Sequence, residues 1–135
     1  MITQLTFDEE FHYKDDPLGI SIPVTLSYGG RVVRTTAKVD TGGGVCLFSH
    51  EDGLKLGLSI EQGLPTVLDS LGGPVPAFGH EIFLQTGALS FQSVVYFAKY
   101  PNLSRNILGR QGWLRNLRIA VIDYDNLLYL SDYNS

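Results

Sequence analysis

Ala37-Lys38-Val39-Asp40-Thr41-Gly42-Gly43-Gly44 is the turning point of this sequence. A run rich in β-formers, Arg31-Val32-Val33-Arg34-Thr35-Thr36, leads into it, and apolar residues resume at Val45-Cys46-Leu47-Phe48. A carboxylate at a strand end, followed by glycines, suits a reactive group held at the base of a cleft. Glycine there permits positive φ and lets another backbone come close. Asp, Thr and Gly are also ordinary turn residues, so the stretch by itself reads equally as a turn.

Outward from this point the pattern is one of short strands. Upstream, Ile20-Ser21-Ile22-Pro23-Val24-Thr25-Leu26 alternates at period two, and Pro23 places that strand at an edge. Tyr28-Gly29-Gly30 is a hairpin turn, with 32–39 as the return strand. Residues 2–7 alternate weakly as a candidate edge strand, and the acidic 8–16 segment reads as a solvated loop or peripheral strand. Residues 1–18 are thus a peripheral N-terminal segment. Downstream, 45–48 is a short buried strand. Ser49, with Asp52 three residues on, caps a helix of about two turns that stops near Gly57. Residues 64–68 and 75–84 form the arms of a hairpin whose flexible turn contains Leu71-Gly72-Gly73. Residues 89–97 and 105–109 are further strands. A short helix is expected over 110–117, with Trp113, Leu114 and Leu117 on one face. Strands at 118–122 and 127–130 flank a turn at Tyr124-Asp125-Asn126. The pattern predicts one domain over 1–135, all-β apart from one or two short helices.

Composition narrows the function. The 135 residues are 44% apolar, enough to fill a core, and only 18% charged. Ten Lys and Arg against fourteen Asp and Glu give a net charge of −4 without a basic cluster, so no nucleic-acid footprint is present. No apolar run approaches the roughly 20 residues that span a bilayer, and the acidic N-terminus has no apolar signal segment. Cys46 is the single cysteine, so no intrachain disulfide can form. Together these features predict a soluble, cytoplasmic protein with no nucleic-acid or membrane partner.

Three features occur in a fixed order: Val39-Asp40-Thr41-Gly42 after a hairpin, Leu71-Gly72-Gly73 at a mid-chain hairpin tip, and Ile107-Leu108-Gly109-Arg110 late in the chain. Together they resemble the retropepsin-like aspartic proteases, the single-lobed, retroviral-type family. The ending Trp113-Leu114-Arg115-Asn116-Leu117-Arg118-Ile119-Ala120-Val121-Ile122-Asp123 resembles the closing helix and strand of cellular members. The likeness spans about residues 19–131. It implies a closed β-barrel with one lobe per chain, and it favours a site over a turn at Asp40.

The resemblance implies an aspartic endopeptidase. One Asp-Thr-Gly per chain is half a site, so a homodimer is implied, with two Asp40 carboxylates activating a water between them. Thr41 would bond across the dimer and Gly42 would offer backbone groups to substrate. Gly43 and Gly44 would lie along an extended peptide or protein substrate, and Leu71, Gly72 and Gly73 would form a flap tip over it. No metal or cofactor is required. Two departures stand out. Gly43 replaces the usual Ala or Ser, and the loss of a hydroxyl donor predicts an operating pH above that of a Ser-bearing relative. Gly44, Val45 and Cys46 replace the acids that follow the motif in retroviral members, so Arg110 needs another partner. A catalytically inactive dimerisation or peptide-binding module of the same fold is the alternative, and an unrelated β-barrel binding module is a third.

The other candidates have plainer explanations. His12, His50 and His80 are scattered and lack metal-ligand spacing. Cys46 reads as a small core residue. Asp123-Tyr124-Asp125-Asn126 lacks the Gly and distal Glu of a calcium loop, and a hairpin turn accounts for it.

Overall fold

A computed structural model describes residues 1–134. Strand β1 is Glu9–His12, β2 is Ser21–Tyr28 and β3 is Arg31–Val39. The tight turn between β2 and β3 needs positive φ at two successive positions, which Gly29 and Gly30 supply at 56° and 81°. In β2 the side chains of Ile22, Val24 and Leu26 are buried, whereas Ser21 and Pro23 are exposed. Strand β2 pairs with β3 along its whole length but with a second neighbour only at Thr25–Ser27, which leaves Pro23 on an open edge.

Strand β4 (Leu47–Phe48) leads into helix α1 (His50–Lys55). The Ser49 side chain accepts from the Asp52 amide at 3.1 Å and caps the helix. Gly53, unfavourable inside a helix, is required by packing: a Cβ there would lie 2.8 Å from Ile60 Cδ1 and 3.0 Å from Phe97 Cδ1. After a 3₁₀ turn at Ile60–Gln62 come β5 (Leu64–Leu68), β6 (Val75–Thr86) and β7 (Leu89–Ala98). Strand β8 is Ile107–Leu108, β9 is Leu117–Ile122 and β10 is Leu127–Asp132.

The strands form two sheets. One has the order β1-β10-β9, antiparallel throughout. The other has the order β2-β3-β8-β4-β7-β6-β5, and pairing of β2 with β6 closes it into a ring. Strand β8 lies between β3, to which it is parallel, and β4, to which it is antiparallel. The long strand β6 offers one edge to β7, and its other edge is shared by β5 near its start and β2 near its end. The core includes Trp113, Phe48, Phe97, Leu26, Leu84, Leu108, Leu128 and Leu130, all fully buried. The Trp113 indole N–H is satisfied by Thr86 Oγ1 at 3.1 Å.

Three local expectations are corrected. Residues 2–7 form no strand; the first strand is β1, inside the acidic segment, because β10 offers it a partner from Glu9↔Leu130 to His12↔Leu127. No helix spans 110–117. Gly112 sits at φ 95°, outside the right-handed helical region, and interrupts the run just after the Arg110 and Gln111 amides bond to the Gly43 and Gly44 carbonyls. Only a 3₁₀ turn at Leu114–Asn116 remains, and Leu117 already belongs to β9. The strand expected over 45–48 is regular only at Leu47–Phe48, with Val45 making an isolated bridge to Gln111.

Candidate active site

Asp40 follows the last residue of β3, and its backbone is clamped from both sides. The Val39 amide donates to Ile20 O at 2.8 Å and the Asp40 amide to Leu108 O at 2.9 Å. Beyond Asp40 the chain turns back on the carboxylate. The Gly42 amide donates to Asp40 Oδ1 at 3.1 Å, and the Gly43 amide to the Asp40 carbonyl at 3.1 Å. The carboxylate is half-buried, while Thr41, Gly42 and Gly44 are exposed. A Cβ on Gly43 would stand 3.1 Å from Asp40 Oδ2, so glycine there leaves the carboxylate room.

The late motif buttresses this loop from below. The Arg110 amide donates to Gly43 O at 2.8 Å and the Gln111 amide to Gly44 O at 2.9 Å. Gly109 is the contact point: a Cβ there would fall 2.1 Å from Val45 O and 2.8 Å from Gly43 O, closer than any side chain allows. Cys46 lies in the same layer, fully buried, with Sγ 3.5 Å from Gln111 O. Burial pushes its thiol up to about 11, against a smaller downward pull from the Gly109 backbone.

Asp40, Gly43 and Gly44 line a groove of about 830 Å³. Leu71 and Gly72 reach it from the turn between β5 and β6, so two regions some thirty residues apart in sequence share one cleft. Its walls are mainly apolar: Val45, Leu47, Leu68, Val75, Leu103 and Ile107. Leu71 is fully exposed at the hairpin tip. Gly73 takes φ 109° and does not line the groove; its amide donates to Ser70 O at 3.0 Å, and Ser70 Oγ donates back to Gly73 O at 2.6 Å. Thr41 and Gly42 lie outside the groove lining. Arg110 is exposed, and the one ion pair among the described residues is His12 with Glu10 at 3.5 Å.

Two features go beyond what the sequence motifs specify. Leu103, Ser104 and Arg105, in the loop between β7 and β8, form the groove wall. Buried Asn106 ties three segments together: Nδ2 donates to Thr35 Oγ1 and Thr36 O of β3 and to Asp52 Oδ2 of α1, and Oδ1 accepts from the amide of the helix cap Ser49 at 2.9 Å. Asn106 heads the motif run Asn106-Ile107-Leu108-Gly109-Arg110, yet nothing in the sequence assigns it this bracing role. These residues border a second, polar cavity of about 300 Å³. Among the described residues, no group of three or more His, Cys, Asp or Glu could hold a metal ion, and no helix is long and apolar enough to cross a membrane.

No family model matches the chain, and no curated protein matches it in sequence. Solved structures do. A retropepsin-like aspartic protease from Rickettsia conorii superposes with a TM-score of 0.66 at 16% identity, over 91% of this chain and 97% of that one. The chain has a retropepsin-like fold. The EIAV protease, solved with the inhibitor HBY-793, superposes with a TM-score of 0.50 at 18% identity, over 67% of this chain and 80% of that one. In this retropepsin-like fold the two motif loops meet through backbone hydrogen bonds, and a hairpin turn borders the same groove.

Proposed function

We propose that the chain is an aspartic endopeptidase that acts as a homodimer. The observation that carries this is the meeting of Asp40 with the β5–β6 hairpin turn on one apolar groove, in a fold shared with proteases. One chain supplies one such carboxylate, so two copies related by a two-fold axis would bring two Asp40 side chains together. Like charges ~3 Å apart cannot both ionise easily, and the pair shares a proton. The ionised member takes a proton from a water held between them, and the water oxygen attacks the scissile carbonyl carbon. The protonated member donates its hydrogen bond, then its proton, to the carbonyl oxygen. Collapse of the tetrahedral intermediate breaks the C–N bond as the nitrogen gains a proton from the dyad. No covalent enzyme intermediate forms.

Other roles follow from position. Thr41 would bond across the dimer and Gly42 would offer backbone groups to substrate, roles supported by their exposure beside Asp40. Gly43 and Gly44 offer a floor without side chains. Leu71, Gly72 and Gly73 form a tip that can close over the groove and exclude water. An extended peptide fits such a cleft through main-chain hydrogen bonds and apolar pockets.

The test is cleavage of a peptide library across pH by the wild-type protein and Asp40→Asn, with an aspartic-protease transition-state inhibitor as a control. Loss of at least about 1,000-fold in kcat with Asp40→Asn is expected, since the variant pair has no ionisable carboxylate to activate water. Cleavage that survives the substitution unchanged overturns the assignment. A second reading, a catalytically inactive peptide-binding or dimerisation module, is favoured by one observation: uncharged Gly44, Val45 and Cys46 follow the motif, and Arg110 has no ion pair among the described residues. A folded dimer that cleaves no peptide at any pH establishes that reading instead.

A further inference from the structure

The groove carries one cation. Its lining includes Asp40, Asp69 and Arg105 as charged residues, and every other lining residue is apolar or uncharged. Arg105 is half-buried, and its Nη1 donates to the Leu18 carbonyl at 2.9 Å. That bond anchors the guanidinium without neutralising it, because a backbone carbonyl is not a counter-ion. Among the described residues Arg105 has no ion pair, with either groove aspartate or with any other carboxylate. An uncompensated guanidinium on a largely apolar wall is costly to desolvate when a peptide covers it, unless the peptide brings the counter-charge.

We propose that Arg105 is a specificity-determining residue that selects an acidic side chain in the bound peptide. This rests on the peptide-groove reading above. A planar guanidinium with free N–H groups matches a carboxylate in two-point geometry, and exclusion of water by the bound peptide strengthens that contact. A peptide carrying Lys or Arg at the same place would leave two cations facing each other, so the residue both attracts one class and rejects another. In a two-fold dimer each protomer contributes one Arg105. Acidic residues are therefore expected on both sides of the scissile bond, at matching distances from it, with apolar side chains between them in the pockets formed by Val45, Leu47 and Ile107.

The experiment has a cleavage arm and a binding arm. In the first, a peptide library is digested by the wild-type protein, Arg105→Gln, Arg105→Glu and Asp69→Asn. Gln removes the charge and keeps a polar amide, but its shorter chain also gives up the bond to the Leu18 carbonyl, so the reversal by Arg105→Glu separates the charge from that anchor. The wild-type products should be enriched in Asp and Glu at one flanking position on each side. Arg105→Gln should lower kcat/KM for those peptides about 10- to 100-fold while wholly apolar peptides change less than about two-fold. Arg105→Glu should turn the preference toward Lys and Arg, a reversal that a merely structural role for Arg105 cannot produce. Absence of acidic enrichment, enrichment that survives Arg105→Gln, or the same loss caused by Asp69→Asn overturns the proposal while leaving the peptidase reading intact. In the second arm, peptides are selected by affinity on Asp40→Asn protein with and without Arg105→Gln, and the same criteria apply to what is retained. A wild-type protein that cleaves nothing therefore removes the peptidase assignment, and the binding arm alone then decides Arg105.

Discussion

Asp40 and Cys46 lie six residues apart and show how burial sorts reactive groups. Asp40 is half-buried on an open groove, with one carboxylate oxygen already held by the Gly42 amide. Cys46, fully buried below the same loop, is inert because the interior penalises its thiolate. Its folded value of about 11 lies above the unfolded 9.0, so the folded state binds the proton more tightly. The resulting stabilisation is complete below about pH 9 and is lost as pH rises through about 11, on the order of 3 kcal/mol. Urea titrations between pH 8 and 11.5 should show this decline, and Cys46→Ala should reduce it. A disulfide reagent at pH 8 should label Cys46 only as fast as the protein opens; prompt labelling of the native protein refutes this picture. Tyr13, which donates to the Asp123 carboxylate, is likewise raised, to about 12, by burial and by that neighbour, and adds to the loss at the alkaline end.

At the scale of elements, the site depends on a strand of two residues. Strand β8 lies between β3 and β4, and its register with β3 (Lys38↔Ile107, Val39↔Leu108) brings Gly109 against the Asp40 loop. The Arg110 and Gln111 amides then fix Gly43 and Gly44. Gly109→Ala puts a methyl group into two carbonyl oxygens and forces β8 and the loop apart. It should cost about 3 kcal/mol or prevent folding, read as a lower urea midpoint, and any folded fraction should lose the Asp40 geometry and cleavage with it. A loss below about 1 kcal/mol shows that the loop has room this backbone does not display. Asn106 works at the same scale, pinning β8 to β3 and α1 through its three donor contacts and one acceptor contact.

At the scale of the whole molecule, one chain holds half of the proposed dyad. Sedimentation at micromolar concentration should give twice the 14.9 kDa chain mass. Melting temperature should rise with protein concentration, and peptidase rate should fall faster than linearly on dilution, because dissociation removes the site. A strict monomer whose cleavage rate stays proportional to concentration excludes the shared site.

Much of this molecule is legible in its residues. Period-two alternation places β2, because one face of the strand meets the core and the other meets water, and the density of β-formers places β7. Gly29-Gly30 sets a hairpin turn, and Ser49 with Gly57 bounds α1, since these depend on local backbone geometry alone. The order of Asp40-Thr41-Gly42, Leu71-Gly72-Gly73 and Ile107-Leu108-Gly109-Arg110 indicates the retropepsin-like fold before any contact is known. What tertiary structure decides is non-local. Residues 110–117 carry a helical apolar spacing, yet the Arg110 and Gln111 amides hold the chain extended against Gly43 and Gly44, and Gly112 turns it at φ 95°, outside the right-handed helical region. Strand β1 forms in an acidic segment because β10 lies beside it. Arg105 has no local pattern, and only the approach of its loop to Asp40 puts a cation on the groove wall. Local propensity is written in neighbouring residues. The partners that complete a loop, an edge strand or a groove come from segments distant in sequence, and folding alone determines which of them meet.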